Sequence, residues 1–231
     1  MFVEISEEEK FFRLTFEKVV IAFGKRTYDR TAVSAETTQP RILRQVHGDR
    51  VVDARIAKSN DEAADGHFTD ASSPLTLCLV TADCMPIFFF SDRFIGGVHA
   101  GWRGIAQQIL PKALDMIFTG DGHEITIVVG PHIGPRSFEV GEDVRDQIFA
   151  SAHTEDRLHF FQPATSPGKV KINLWEIVQA QVKNWEKQSG LIVKNVTALN
   201  LDTFEDTQFQ SFRRDGAAAG RQMSHISWAK K

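Results

Sequence analysis

Cysteine is scarce in this sequence, because Cys78 and Cys84 are the only two among 231 residues. If both lie on one extended strand, their Cα atoms are roughly 20 Å apart at 3.3 Å per residue. A disulfide requires Cα atoms within about 7 Å, so these thiols are not expected to form one. Residues 1–10 also lack the basic start and apolar stretch of a signal peptide. These absences predict a reducing, cytoplasmic location and leave Cys84 available for chemistry.

Several other features are missing. No apolar run approaches the roughly 18 residues that a membrane-spanning helix needs. No basic block occurs and the formal net charge is -3, so the sequence has no electrostatic footprint for nucleic acid. Neither a glycine-rich dinucleotide motif nor a P-loop is present. No long Gly/Ser/Pro-rich linker divides the chain, which predicts one domain over residues 1–231 with a small molecule as its partner.

Short apolar runs predict many strands without the regular βαβ rhythm of a doubly wound sheet. The runs at 41–46 and 51–56 are expected to form a strand pair whose turn carries His47. Polar segments at 25–39 and 58–74 are predicted as loops. The class is therefore α+β with mixed sheets. The predicted strands outside the central stretch are 11–16, 19–23, 41–46, 51–56, 75–81, 124–129, 193–201 and 223–228.

Capping and stop signals predict three helices. The first follows residue 104 and runs to about 118, with a kink or a break at Pro111, which lacks a backbone donor. The second opens at Gly141 and has acidic residues in its first turn, where the helix dipole favours them. The third begins with Asn173 as its cap and ends at Gly190.

Residues 81–104 form the stretch in which reactive groups concentrate. The runs 86–90 and 94–98 predict a strand pair joined by a short turn. Cys84 and His99 would lie near its ends. The glycine-containing pattern that follows predicts a tight turn that opens a helix. A thiol, an imidazole and a helix start are therefore expected at one place.

His47, Cys84 and His99 are candidate metal ligands and candidate catalytic residues. One thiolate and two neutral imidazoles suit Zn²⁺, and three protein ligands leave a fourth position open, as in catalytic zinc sites. The alternative is that Cys84 is a small buried hydrophobic residue and that each histidine is a polar group with ordinary hydrogen bonds. Spacing alone leaves both interpretations open.

Other polar residues are secondary candidates. His132 lies in a Gly-Pro turn and is a further candidate site residue. Asp65 is a candidate partner of a ligand, and Asp83 is expected to orient neighbouring backbone because it would point away from Cys84. The remaining histidines are expected on exposed or half-exposed segments: His67, His123, His153, His159 and His225.

Arginines supply candidate anion contacts, because a guanidinium fork suits phosphate. Arg103, Arg213 and Arg214 are predicted to bind substrate together with His132. Arg136 is a further candidate. For any one of these arginines, a surface ion pair is the competing interpretation.

Six motifs stand in an order that resembles the YfiH family, also called laccase-domain or polyphenol oxidoreductase proteins. The resemblance covers residues 41–228. The motifs are Gln45-Val46-His47-Gly48, Thr81-Ala82-Asp83-Cys84 with Pro86, His99-Ala100-Gly101-Trp102-Arg103-Gly104, Gly130-Pro131 with Ile133-Gly134, Phe138-Glu139-Val140-Gly141, and Ser211-Phe212-Arg213-Arg214-Asp215 with Gly220-Arg221.

The resemblance implies an α-β-β-α sandwich of mixed sheets and a zinc ion on His47, Cys84 and His99. It also implies phosphorolysis of adenosine, inosine, guanosine and S-methyl-5′-thioadenosine, and deamination of adenosine. This chain departs from the family in lacking a Gly-Gly-Val-Ser run and an Asn-Leu-Gly before His47. It has Asp202-Thr203 where many members carry a cysteine before the threonine, which favours an open metal position.

Three alternatives differ in chemistry. Copper-dependent oxidation of phenols fits the family name and the ligand set of blue copper, but most of the eight histidines lie outside the motifs. A metal-free hydrolase with Cys84 as nucleophile and His99 as base would suit the family's other proposed role, the editing of peptidoglycan precursors. The third alternative is a metal-binding or partner-binding module without catalysis.

Overall fold

A computed structural model describes residues 2–57, 61–118, 124–151 and 160–229. The strands are β1 (Phe2–Glu7), β2 (Phe11–Phe16), β3 (Val19–Gly24), β4 (Pro40–Ile42), β5 (Val51–Asp53), β6 (Gly66–Asp70), β7 (Thr76–Thr81), β8 (Met85–Phe90), β9 (Phe94–Ala100), β10 (Ile125–Val129), β11 (Glu139–Gly141), β12 (Phe161–Pro163), β13 (Lys169–Ile172), β14 (Val193–Ala198) and β15 (Gln222–Trp228). The helices are α1 (Arg30–Glu36), α2 (Trp102–Ala106), α3 (Ile109–Ile117), α4 (Glu142–Ser151), α5 (Leu174–Ser189) and α6 (Phe212–Asp215).

Two six-stranded mixed sheets form the centre of the fold. The first has the order β1-β2-β3-β15-β7-β4 and the second β14-β10-β8-β9-β6-β5. Most neighbours are antiparallel, whereas β4/β7, β5/β6 and β10/β14 are parallel. A small three-stranded sheet, β11-β13-β12, is separate from both. The prediction of mixed sheets is therefore confirmed.

The two large sheets pack face to face around apolar side chains that include Leu79 of β7, Phe88 of β8 and Ile95 of β9. On the opposite face of β8, Ile87 and Phe89 belong to the core beneath the helices. Successive side chains of a strand point to opposite faces. A strand buried on both faces therefore reads as a continuous apolar run, which explains the sequence of β8.

Helices cover the outer faces of both sheets. α3 and α5 supply Leu114, Val178 and Trp185 to the core on the second sheet. The shorter α1 places Val33 on the outer face of the first sheet beside Cys78. The layers therefore follow the order α-β-β-α, as expected.

The sequence predictions that rested on helix-capping residues or on long apolar runs agree with the structure. The hairpin of β8 and β9 pairs as expected. Asn173 caps α5 by accepting a hydrogen bond from the Glu176 backbone N–H at 3.4 Å, and Gly190 ends the helix with φ of 74°. This φ lies in the left-handed region, which glycine adopts without strain, so glycine is well suited to end the helix.

Two predictions about the first third of the chain were wrong. The segment 25–39 contains α1, whose first turn is capped by the side chain of Asp29. The strands β4 and β5 do not pair with each other, because β4 joins β7 in the first sheet and β5 joins β6 in the second. The connection that carries His47 therefore crosses between the sheets instead of forming a hairpin turn.

The loop predicted at 58–74 contains β6, a buried strand of the second sheet; residues 58–60 lie outside the described ranges. His67 on β6 and His225 on β15 are buried, which corrects their expected exposure. Polar residues in β6 conceal it in the sequence, although β5 and β9 cover both of its edges. The expected exposure of His123, His153 and His159 concerns residues outside the described part of the chain.

The helix expected after residue 104 begins at Trp102 and is divided, but not at Pro111. The break between α2 and α3 lies at Gln108, whose φ is 58°. Pro111 is the third residue of α3. A proline is tolerated there because the first N–H groups of a helix have no partner within it.

None of the helices in the described ranges combines the length and apolar character that a membrane crossing requires. Both cysteines are free thiols, Cys78 buried and Cys84 half-buried. The expectation that they do not pair is therefore confirmed.

Candidate metal centre and substrate cleft

His47 lies on the connection between β4 and β5 in a left-handed conformation, with φ of 60°. Its backbone N–H donates to Oδ1 of Asp65 at 2.9 Å. The N–H groups of Val46 and Gly48 donate to Oδ2 of the same carboxylate at 3.1 and 2.8 Å. Three consecutive donors on one carboxylate stabilise this tight turn and leave the exposed imidazole outside it.

Gln45 fixes the same connection to the first sheet. Its Nε2 donates to the Val80 carbonyl at 2.7 Å, and its Oε1 accepts from the Val80 N–H at 2.8 Å. The side-chain amide thus pairs with β7 as a strand residue would. Since Val80 is four residues before Cys84, this contact sets the approach of His47 to the thiol.

Cys84 stands between β7 and β8, directly after Asp83, whose φ is 82°. The Asp83 carboxylate accepts from Thr203 Oγ1 at 2.8 Å and from the Arg213 N–H at 2.6 Å. Asp83 therefore orients the backbone of α6 at Arg213. It also connects the loop that contains Thr203 to the segment that carries Cys84.

His99 is on β9 and is buried. Its Nδ1 is 2.9 Å from Oδ1 of Asp65. Burial would raise the pKa of Asp65, but hydrogen bonds from His99 and from backbone N–H groups outweigh it and lower that pKa. Asp65 is therefore a carboxylate that only accepts, so Nδ1 of His99 donates and Nε2 is left for a metal.

The structure brings His47, Cys84 and His99 together, with one ligand atom from each within 4.8 Å of the others. The two imidazole rings are nearly perpendicular, with centroids 4.9 Å apart. A tetrahedral zinc site with bonds of about 2.0 to 2.3 Å places its N and S ligands roughly 3.6 Å apart. A small closure would reach that separation, so the three residues could hold a metal ion.

A glycine keeps this space open. A Cβ on Gly101 would lie 3.1 Å from Sγ of Cys84 and 3.5 Å from Cδ2 of His47. The glycine directly before α2 therefore lets both candidate ligands approach the backbone closely.

Charge coupling makes the thiol acidic. Burial raises the pKa of Cys84, but hydrogen bonds from His47 and His99 and the charges on those rings lower it to about 6. Burial lowers the pKa of His99, whereas hydrogen bonds to Asp65 and Cys84 raise it to about 9. The cluster therefore supports a thiolate at neutral pH, which is the form that binds metals and attacks electrophiles.

The donor set lies on the wall of an open cleft of about 1070 Å³. Arg103, whose guanidinium stacks 4.4 Å from the Trp102 ring, lines this cleft. Arg213 also lines it, with Nη1 donating to the Glu139 carbonyl at 2.8 Å.

Sequence reasoning did not single out three other residues that line the cleft: Gln45, Arg30 and Arg221. No local pattern marks them, because the cleft brings together segments that are far apart in the sequence. The family-like motifs do contain Gln45 and Arg221, which was the one available signal.

Other candidate residues are placed elsewhere. His132 is buried, and its Nδ1 donates to the Gly130 carbonyl at 2.9 Å. Arg214 donates to the carbonyls of Thr203, Phe204 and Phe209 and pairs with Asp215. Its guanidinium therefore holds the loop before α6 together. Arg136 forms an exposed ion pair with Glu205.

Comparison with known sequences gives a consistent set of relatives. Residues 23–229 match a family model described as multi-copper polyphenol oxidoreductase laccase. A purine nucleoside phosphorylase of Pseudomonas aeruginosa is 36% identical over 182 residues, which cover 76% of this chain and 69% of that protein. The Escherichia coli purine nucleoside phosphorylase YfiH is 30% identical over 193 residues, covering 82% of this chain and 74% of the relative.

Solved structures share the fold at low sequence identity. The Bacillus licheniformis hypothetical protein YfiH superposes with a TM-score of 0.83 at 22% identity and covers 97% of this chain and 99% of that one. YlmD of Geobacillus stearothermophilus has a TM-score of 0.80 at 23% identity, with 98% and 99% covered.

Proposed function

This chain belongs to the YfiH family, which the matched model describes as multi-copper polyphenol oxidoreductase laccase, and from that premise we propose that it is a metal-dependent purine nucleoside phosphorylase. The observation that carries the proposal is the His47, Cys84 and His99 donor set on the wall of a cleft lined by arginines. The relatives named as purine nucleoside phosphorylases support the substrate class. We place the protein in a reducing, cytoplasmic compartment, where Cys84 stays a thiol.

Zinc is the proposed ion, and Cys84 Sγ, His99 Nε2 and one ring nitrogen of His47 are its proposed ligands. A thiolate with two neutral imidazoles is a donor set that zinc accepts, and it leaves a fourth position for a non-protein ligand. When bound, the ion supplies Lewis acidity and lowers the pKa of a water molecule toward about 7. Asp65 accepts from Nδ1 of His99, so Nε2 is the ring nitrogen that would bind the ion once the ion displaced its proton.

Phosphorolysis exchanges one bond for another at the sugar. The glycosidic C–N bond breaks, phosphate oxygen bonds the anomeric carbon, and the departing base takes a proton. The substrates proposed are adenosine, inosine, guanosine and S-methyl-5′-thioadenosine. Arg103 and Arg213 are the proposed phosphate contacts, because both line the cleft and neither guanidinium has a carboxylate partner among the described residues. Their task is to position phosphate, which is anionic, against a neutral nucleoside.

Deamination of adenosine is the second proposed reaction at this site. Water adds at C6 of the purine and ammonia leaves, which yields inosine without phosphate. The same donor set would serve both reactions, so they share a metal requirement.

The test separates these reactions by their products. Metal-replete and chelated protein would be incubated with adenosine, with and without phosphate, and the products separated by chromatography. Adenine that appears only with phosphate supports phosphorolysis, and inosine without phosphate supports deamination. We expect Cys84→Ala to abolish both and the matched Cys78→Ala, which removes the thiol outside the cleft, to retain them. Undiminished turnover by Cys84→Ala would contradict the proposal.

A thiol nucleophile is the second candidate, because the pKa of Cys84 is lowered to about 6 by its two imidazole neighbours. Papain-like chemistry needs that acidity and a histidine base. Full activity after chelation, together with its loss in Cys84→Ala, would favour this reaction. Elemental analysis of the purified protein distinguishes zinc from copper, the ion that the family name suggests.

A further inference from the structure

Four arginines that line the cleft have no carboxylate partner in the part of the chain that the structure describes. Among the described residues, seven other arginines form ion pairs with carboxylates: Arg13, Arg26, Arg50, Arg55, Arg136, Arg145 and Arg214. No ion pair within those described ranges involves the four arginines that line the cleft, which are Arg30, Arg103, Arg213 and Arg221. Arg44 and Arg93, outside the cleft, also form no ion pair among the described residues, so the four arginines are distinguished by lining one cleft. Arg213 and Arg221 each donate from Nη1 to backbone carbonyls, which leaves their positive charge without a carboxylate.

Carboxylates also line this cleft but do not neutralise these arginine side chains. Asp83 accepts from Thr203 Oγ1 and from the Arg213 backbone. Glu139 accepts from the Thr165 N–H at 3.2 Å and from Ser166 Oγ at 3.1 Å. These two carboxylates thus stabilise neighbouring loops, and the third that lines the cleft, Asp143, forms no ion pair with the four arginines among the described residues. The guanidinium charge therefore stays available to an anion.

The four arginines fall into two pairs according to the backbone that carries them. Arg103 is two residues after Gly101, where an added Cβ would meet Cys84 and His47, and the Arg213 backbone N–H donates to Asp83 beside Cys84. This pair belongs to the metal end of the cleft.

Arg30 and Arg221 come from a different part of the fold. Arg30 is two residues after Tyr28 and Arg221 two residues before Met223, and the Met223 N–H donates to the Tyr28 carbonyl at 2.8 Å. That hydrogen bond ties the two segments together at the first sheet. The Arg221 guanidinium lies 5.9 Å from the Phe212 ring, and Phe212 is 54% exposed.

We propose that Arg30 and Arg221 form a second anion subsite, which binds the phosphate of a nucleoside 5′-monophosphate whose other end lies at the metal centre. This rests on the proposed function for the nucleoside part of the ligand. One inorganic phosphate is satisfied by the pair at the metal end, since a guanidinium fork makes two hydrogen bonds to one phosphate. The remaining pair matches a second phosphate, and a cleft of about 1070 Å³ has room for a nucleotide.

The experiment compares ligands that differ by one phosphate group. Calorimetry would measure the Kd of adenosine and of adenosine 5′-monophosphate for metal-replete wild type, for Arg30→Gln/Arg221→Gln, and for the control Arg136→Gln/Arg145→Gln. We expect wild type and control to bind the monophosphate at least about tenfold more tightly than adenosine. The cleft variant should lose this preference while its Kd for adenosine changes less than twofold.

Two results would overturn the proposal. One is equal affinity of wild type for the two ligands. The other is a raised KM for inorganic phosphate in the cleft variant with its monophosphate preference intact, which would assign the pair to the co-substrate. If the double variant does not fold, the single Arg221→Gln, at an exposed position, carries the same comparison.

Failure of the proposed function gives a different pattern. Wild type would then bind the monophosphate through Arg30 and Arg221 yet release no base and no inosine from adenosine. That result retains the anion subsite and rejects the phosphorylase. Turnover of adenosine with no preference for the monophosphate rejects the subsite and retains the phosphorylase.

Discussion

Oδ1 of Asp65 lies 2.9 Å from Nδ1 of His99, and both side chains are buried. The same carboxylate accepts three consecutive backbone N–H groups from the turn that carries His47. The Asp65 side chain, directly before β6, therefore contacts both His99 and the turn that carries His47, which are two of the three candidate ligands. The geometry of the donor set depends on this carboxylate remaining ionised.

Asp65→Asn should weaken metal binding roughly 10- to 100-fold, as loss of a ligand's hydrogen-bond partner commonly does. The amide keeps the size of the side chain but loses the charge and turns an NH₂ group toward N–H donors. Competition with a chromophoric chelator measures the affinity. Asp92→Asn, in the exposed turn between β8 and β9, is the matched control. Equal affinities of the two variants would show that Asp65 does not position the ligands.

Gln45→Ala should lower the free energy of unfolding by about 1–3 kcal/mol, because it leaves the Val80 N–H and carbonyl without their side-chain partner. Metal affinity should fall as well, since the turn that carries His47 loses its connection to β7. Urea unfolding of the metal-replete protein and chelator competition measure the two effects. The control Gln188→Ala, at an exposed position of α5 that does not line the cleft, should change neither. Loss of stability at full metal affinity would restrict Gln45 to a structural role.

Gly101→Ala tests the close approach at the ligands. The φ of −73° suits alanine, so any effect arises from the added Cβ, 3.1 Å from Sγ of Cys84. We expect weaker metal binding and an altered absorption spectrum in cobalt-substituted protein. Gly48→Ala is the control, because its Cβ would meet Asp65 at an ordinary 3.6 Å. Identical spectra for Gly101→Ala and wild type would mean that the site has more room than the structure allows.

Residue chemistry predicted the donor set, and apolar runs predicted the hairpin that positions Cys84 and His99. The connection of His47 to that hairpin could not be predicted, because it depends on β4 and β5 entering different sheets through parallel pairs with β7 and β6. Such pairings join distant segments and leave no local pattern. Asp65 was recognisable only as a candidate partner for the same reason.

The strand β6 has a polar sequence although most of its residues are buried. Gly66–Asp70 contains a histidine, a threonine and an aspartate, which is typical of a loop, yet His67 and Thr69 point into the space between the sheets and are fully buried. Within the described ranges, neither ring nitrogen of His67 has a hydrogen-bond partner. The sequence carries no mark of this burial, because it results from the packing of the opposite sheet.

That burial gives stability a pH dependence with a defined sign. Burial and the charge of Arg41 lower the pKa of His67 to about 3. In the unfolded chain a histidine titrates near 6.5. Between these values the unfolded state binds a proton that the folded state does not, so the free energy of unfolding falls as pH decreases below about 6.5. One such residue contributes a slope of up to about 1.4 kcal/mol per pH unit.

His67→Gln removes this proton, so between pH 6 and pH 5 the slope of unfolding free energy against pH should be smaller than that of wild type by up to about 1.4 kcal/mol per unit. Urea titrations at several pH values, at one fixed metal concentration, give the slopes. A loss of packing energy caused by the substitution lowers the free energy of unfolding by the same amount at every pH. The slope of that free energy against pH therefore reports only the titration of His67. Parallel lines for wild type and variant would mean that His67 is protonated in the folded protein, which requires an acceptor or water beside its ring.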